Sequence, residues 1–288
     1  MTGGFETTAA GNRAEPPARE RRMPSVVRVA AARAGIEVKC YFRNRQAVIF
    51  TFALPLVLLL IFGGIFSGDA PGTHTPMKQV LIAGIIASGI MSTTFSSLAV
   101  AIAIERDDGT LRRLAATPMS PVSYFLGKIA QAFVTGVLET VVLLTVGVTL
   151  FGLHLPNTGA RWFTFAWVVV LGIVACSFLG IAYSRVAPNA RAAAPVVQLP
   201  YLALQLISGV FFVFTQLPKP MQVVASCFPL KWMAQGLRSA FLSDSFQQAE
   251  PAGSWEHGRT ALILGAWCVA GLLLSLVAFK WERAKKVR

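Results

Sequence analysis

The sequence predicts an all-α polytopic membrane protein with six transmembrane helices, an amphipathic interfacial helix before the first, a short surface helix after the second, and outer-leaflet re-entrant helices between the fifth and sixth. Three observations carry this. The 288 residues are 55% hydrophobic and only 14% charged, which is outside the usual composition of a soluble domain. The apolar residues gather into runs of roughly twenty, the length that crosses a bilayer core. Lys and Arg are distributed unevenly between the connecting segments, as expected of a chain oriented by the positive-inside rule.

Residues 1–24 are polar and rich in Pro and Arg, and are expected to form a disordered cytoplasmic tail. They lack the apolar core of a signal peptide, so span one is read as a retained anchor. In 25–46, Val26, Val29, Ala30, Ala34, Val38, Tyr41 and Phe42 fall on one side of a helix, with Arg28, Arg33, Lys39 and Arg43 on the other. Such a helix either lies in the headgroup layer or rests against the protein's own cytoplasmic end.

The membrane core spans 47–281, with membrane spans at about 47–66, 79–104, 124–151, 162–184, 196–214 and 261–279. Pro55 is expected to bend span one. Span two repeats Gly84, Ser88, Ser92 and Ser96 at four-residue spacing, which makes either a close-packing stripe or a weakly polar pathway wall. Lys128, near the start of span three, is placed to snorkel toward headgroups. Glu139 lies roughly 20 Å into the same helix at ~1.5 Å per residue. It is either a transport-path carboxylate or a structural one bonded to Thr135, Thr140 or a neighbouring span.

Span four carries Gly172, Cys176, Gly180 and Ser184, a second packing stripe, and span five combines Pro200 with Gln198, Gln205, Ser208 and Gly209, a composition that suits a cavity wall. Between spans five and six, 221–228 and 229–242 read as two short helices dipping into the outer leaflet. The chain closes on a basic tail, 282–288.

With both termini inside, nine Lys/Arg precede span one, three lie between spans two and three, two between spans four and five, and five follow span six, against six outside. The basic residues thus flank membrane spans instead of forming a basic module, which argues against nucleic acid as a partner.

The segment 105–121, ERDDGTLRRLAATPMSP, is a charged island between two spans and holds three of the thirteen acidic residues. It must lie at the membrane surface. Asp107 or Asp108 can cap a short helix there, Leu111 and Leu114 sit one turn apart, Arg112 and Arg113 project from the other side, and Pro118 and Pro121 stop it. It is either an ordinary polar loop or a docking element.

Cys40, Cys176, Cys227 and Cys268 lack CxxC spacing, and His74, His154 and His257 fall on separate outer segments, so no metal site is expected. No GxSxG, HExxH or GxxxxGK[ST] motif occurs; the pair Gly127–Lys128 lacks the first Gly and is followed by Ile129. Any nucleotide hydrolysis would come from another polypeptide.

The island, with Glu105, Gly109, Thr110, Leu111, Leu114 and Pro118, resembles the segment after the second span of type-2 ATP-binding-cassette transporter permeases. Two further stretches match in order: RNRQAVIFTFALPLVLLLIFGGIF entering span one, and SGVFFVFTQLPKPMQVVASCFPLKWMAQGLRSAFL after span five. The resemblance is to daunorubicin-resistance-type exporters of the bacterial plasma membrane. It implies a dimer of six-span permeases, each docking a cytoplasmic ATPase subunit that binds ATP and Mg, with the island as coupling helix.

On that reading the coupling residues are Glu105, Asp107, Gly109, Thr110, Leu111, Arg112, Leu114 and Pro118. The substrate-path candidates are Ser88, Thr93, Ser97, Glu139, Gln198, Gln205, Ser208, Phe211 and Phe212. The expected cargo is a drug-like or lipid-like amphipathic molecule. The alternative is a membrane subunit that docks an ATPase and transmits force without moving solute; secondary transport driven by Glu139 is weaker, since no inverted repeat is evident.

Overall fold

A computed structural model describes residues 26–117 and 120–278. The expected disordered tail 1–24, the basic tail 282–288 and Pro118 lie outside the described residues. Among those described, eleven α-helices form the chain and no strand is present beyond an isolated bridge between Asp69 and Pro76.

Helix α1 (Val26–Arg43) packs along the start of α6 (Pro121–Phe151). Asn44 then turns the chain by accepting a hydrogen bond from the amide of Ala47, and α2 (Arg45–Ile65) follows. Span two is built from α3 (Met77–Met91), a π-helical segment Ser92–Ser96 and α4 (Ser97–Asp107). The π segment was not legible in the sequence. Thr93 and Thr94 in and beside it donate to carbonyls of Gly89 and Ile90, the kind of side-chain insertion that loosens an i to i−4 ladder.

After the short α5 (Thr110–Ala115) come α6 and α7 (Gly159–Tyr183). Ser120 and Thr158 cap them by accepting from the amides of Ser123 and Arg161. Gly152, at φ +65°, closes α6. Helix α8 (Ala190–Ile207) is followed by α9 (Lys219–Ser226), α10 (Pro229–Phe241) and α11 (His257–Ala278).

Among the described residues, five helical segments are long and apolar enough to cross a membrane: Arg45–Ile65, Met77–Asp107, Val122–Phe151, Gly159–Tyr183 and His257–Val277. The span expected at 196–214 departs from the expectation. Its helix, α8, begins at Ala190 and stops at Ile207, because Ser208 and Gly209 (φ +72°) turn the chain there. The Arg238 guanidinium donates to the Gly209 carbonyl at 3.0 Å and holds that turn. With Arg191, Pro195 and Pro200 inside its 18 residues, α8 is shorter and more polar than the other five.

Met77–Asp107 is the central element: 83% of an eighteen-residue stretch of it is buried within the chain, against 17% for such a stretch of Arg45–Ile65 and 22% for one of His257–Val277. The small-residue stripes explain how the centre packs. A Cβ on Gly84 would lie 2.5 Å from the Val210 carbonyl oxygen, and one on Gly180 would lie 2.7 Å from that of Phe95. Backbones touch at these points only because side chains are absent.

Every residue of α10 is buried. It packs against α3, α7 and α11, so protein instead of lipid surrounds the second of the two short outer helices. Its cations have partners inside: Arg238 pairs with Glu250 at 2.7 Å, its Nη2 staying without a hydrogen bond, and Lys231 donates to Gln235 while its Nζ stands 3.4 Å from the Trp232 ring centroid. Burial pushes the Lys231 ammonium down to about 8.

Candidate substrate cavity and coupling segment

The island is tied to the rest of the chain by its own charges. Arg106 donates to the carbonyls of Ser184 and Ala187, and Asp107 accepts from the amide of Ala190 at 2.9 Å, capping α8. Asp108 is the residue that caps α5, accepting from the amide of Thr110 at 2.8 Å. The hydrogen bonds from Thr110 hold the Asp108 carboxyl below its ordinary value. Gly109, at φ +76°, makes the left-handed turn between α4 and α5 that a side chain would strain.

Leu111 and Leu114 rest on a small apolar cluster of Leu98, Ile102, Tyr124, Phe125, Ala132 and Ile181. Arg112 and Arg113 are exposed, with Arg113 donating to the Thr110 hydroxyl. The island thus presents its arginines outward and its leucines partly inward.

Glu105 faces inward. Its carboxylate accepts from the Tyr124 hydroxyl at 2.7 Å and from Lys128, which also reaches Glu37 of α1 at 2.8 Å. Arg33 pairs with Glu37 from the far side. Lys128 is 1% exposed, so the expected snorkelling lysine is instead a buried ammonium between two carboxylates. The reason is α1: it covers the start of α6 and supplies an acid where water was expected, with Gly127 letting the Arg33 stem lie against the backbone.

This charged cluster forms one wall of a cavity of about 600 Å³ between α1, α2, the π segment, α4, α6 and α8. Its polar lining includes Tyr41, Asn44, Thr51, Ser92, Ser96, Ser97, Gln131 and Gln198; Phe50, Leu54, Val100 and Ile104 supply apolar surface. Such a lining suits a molecule with a polar head and an apolar body. Ser96 donates to Gln198 at 3.1 Å and Ser97 meets Thr51 at 3.2 Å. These contacts leave the cavity bounded by small, hydrogen-bonded groups. Burial raises the Tyr41 phenol above its ordinary value.

Of the path candidates, Ser97 and Gln198 line this cavity. Ser88 and Gln205 do not: with Tyr201 they make a buried triad joining α3 to α8, in which the Tyr201 hydroxyl lies 2.9 Å from Ser88. Thr93 is buried against backbone carbonyls. Ser208 is fully buried, Phe211 is 7% exposed with its ring tilted against that of Phe62, and Phe212 is 45% exposed. Glu139 is fully buried with neither oxygen hydrogen-bonded; Thr135 and Thr140 donate to their own helix instead.

Sequence reasoning missed Glu37, Lys128, Tyr41 and Gln131 as site residues. Two signals point to them. Glu37 is the one acid in a basic amphipathic helix, and Lys128, Gln131, Thr135 and Glu139 recur at spacings of three and four, on one face of α6.

A bundle of apolar helices with an amphipathic, part-open cavity, and a charged surface segment bonded to its wall, fits a multi-pass membrane permease. The chain matches the family described as ABC-2 type transporter over residues 34–242, and it belongs to that family. It is similar to the ycf38 protein of Porphyra purpurea, whose name describes a transport permease, at 25% identity over 238 residues, 76% of this chain and 79% of that protein. It is also similar to ABC transporter G family member 52 of Oryza sativa subsp. japonica, at 24% identity over 207 residues, 71% of this chain and 15% of that much longer protein. The family's permeases work with ATPase subunits, and its permease domain lacks an ATPase domain.

Proposed function

We propose that the chain is the membrane subunit of an ATP-driven exporter of the daunorubicin-resistance type, moving a drug-like or lipid-like amphipathic molecule out of the cell. The observation that carries this reading is the cavity of about 600 Å³ whose charged wall, Glu37–Lys128–Glu105, leads directly into the surface island. A change in the cavity is therefore felt at Glu105, and Arg106 and Asp107 beside it hold the next loop and α8.

On this reading α8 serves as the fifth of six spans, α9 and α10 form the re-entrant outer pair, and both termini are cytoplasmic in a bacterial plasma membrane. Two permeases pair, as identical or related copies. Each docks an ATPase subunit, which binds ATP and Mg, through the island, with Arg112 and Arg113 setting register by charge.

The test uses inverted membrane vesicles containing the permease and its co-expressed ATPase subunit. ATP-dependent uptake of a fluorescent amphipathic amine is expected, and Val100→Phe together with Ser97→Phe, which fill the cavity, are expected to reduce it by about tenfold. Uptake unaffected by both substitutions would remove the cavity from the transport path. ATPase recruitment without any uptake would favour the force-transmitting alternative.

A further inference from the structure

Glu139 lies midway along α6 with no exposed surface and no hydrogen bond to either carboxyl oxygen. It packs against α3 at Gly89, where a Cβ would stand 3.1 Å from its Cγ. A buried charge without a partner is costly enough that such a group takes up a proton instead.

The surroundings supply acceptors and few donors. Thr93 and Thr94 give their hydroxyl protons to carbonyls of Gly89 and Ile90, and Thr135 and Thr140 give theirs to carbonyls of α6. On other elements, the titratable groups that feel its charge are the phenols of Tyr41 on α1 and Tyr201 on α8. Lys128 on α6 and Lys78 on α3 are each about three turns away, roughly 16 Å, from Glu139 and Gly89 respectively. No cation of the described residues reaches this acid.

A route to it is laid out along α6. Lys128 and Gln131 line the cavity, and Thr135 and Glu139 continue the same face inward. The π segment borders the cavity with Ser92 and Ser96 and begins one turn from Gly89. The cavity lining holds two carboxylates, Glu37 and Glu105, and one ammonium, Lys128, and Arg33 pairs with Glu37 from behind the lining, so this wall is charge-balanced and leaves Glu139 as the acid without a cation.

We propose that Glu139 is a binding station for the cationic head of an amphipathic substrate, taken up in exchange for one proton. The inference rests on the exporter reading and names the class of its cargo. When the cation arrives, the carboxyl O–H bond breaks, the proton leaves to water, and the resulting carboxylate pairs with the onium group. Net charge at the site is unchanged by the exchange, so the cation enters without leaving an uncompensated charge in the bundle.

The test uses the wild-type chain in nanodiscs, with tetraphenylphosphonium as probe, tetraphenylborate as its opposite-charge counterpart, and empty nanodiscs to subtract partitioning. Dicyclohexylcarbodiimide modifies protonated carboxyls in apolar surroundings, and mass spectrometry locates the adduct. Labelling of Glu139 is expected, falling about tenfold with the phosphonium well above its Kd and unchanged by the borate. Calorimetry in phosphate and Tris is expected to show about one proton released per cation bound, and none in Glu139→Gln, whose cation affinity falls at least about tenfold. An unlabelled Glu139, a labelled one that the phosphonium fails to protect, or cation binding without proton release overturns the proposal. If protection fails while ATP-driven uptake of a neutral amphipath continues, the cation site falls and the exporter reading stands; if uptake is absent as well, both fall.

Discussion

Lys128 shows what one residue does here. Its buried ammonium is shared by Glu37, which also keeps Arg33, and by the part-exposed Glu105, so Lys128→Met removes the charge that holds the two carboxylates together. Breaking a fully buried pair from one side costs about 3–5 kcal/mol, and the exposure of Glu105 and the Arg33 partner of Glu37 bring the cost here below that range. The midpoint of chemical unfolding in detergent is expected to fall accordingly, and Glu37→Gln with Glu105→Gln in the same background to restore most of it. Lys231 makes a separate prediction. Its folded value of about 8 lies below the 10.5 of a free lysine. Between those two pH values the unfolded chain therefore binds a proton that the folded chain does not. Stability should rise with pH across that window, by on the order of 2 kcal/mol. Lys231→Met should remove the rise, and unfolding midpoints at pH 7.5 and pH 10.5 measure it. Asp108 has the opposite sign: its carboxyl is held low, so its cap on α5 is complete above the ordinary value of 3.8 and lost as pH falls through the lower folded value. Amide exchange at Thr110 should quicken in Asp108→Ala at neutral pH.

At the scale of elements, backbone contact decides which helices can sit at the centre. Gly84 meets the backbone of Val210, while Gly64 on α2 has nothing within 4 Å. Gly84→Ala is expected to destabilise by about 1–3 kcal/mol and Gly64→Ala to have little effect, both read as thermal midpoints. The stripes containing Gly84 and Gly180 were legible in the sequence because four-residue spacing of small side chains has a single geometric consequence on a helix. The island's cap and its outward arginines were legible for the same local reason. The Lys128 cluster was not, because its partners sit on α1, α4 and α6, and nothing in the local pattern says that α1 folds back over α6. The early end of α8 escaped notice too: it depends on Arg238, about thirty residues later, binding the Gly209 carbonyl.

At the scale of the whole molecule, α3, the π segment and α4 form a central shaft that borders the cavity along part of its length and ends in the island. Five of the apolar runs correspond to helices long and apolar enough to cross a membrane, whereas α8, with an arginine and two prolines in 18 residues, does not reach that length and hydropathy. The cavity itself could not be read from sequence, because its walls come from six segments. The role proposed for the island is to receive the ATPase and pass its closure to this shaft. Leu111 and Leu114 partly pack on the chain's own core, so the exposed pair Arg112 and Arg113 tests the claim more cleanly. The measurement is the amount of ATPase subunit recovered with a tagged permease, for wild type and for the Arg112→Glu, Arg113→Glu double variant with an unchanged unfolding midpoint. Recovery reduced by about tenfold or more, with a steep salt dependence in wild type, is the predicted result. Equal recovery of ATPase by both proteins would contradict it.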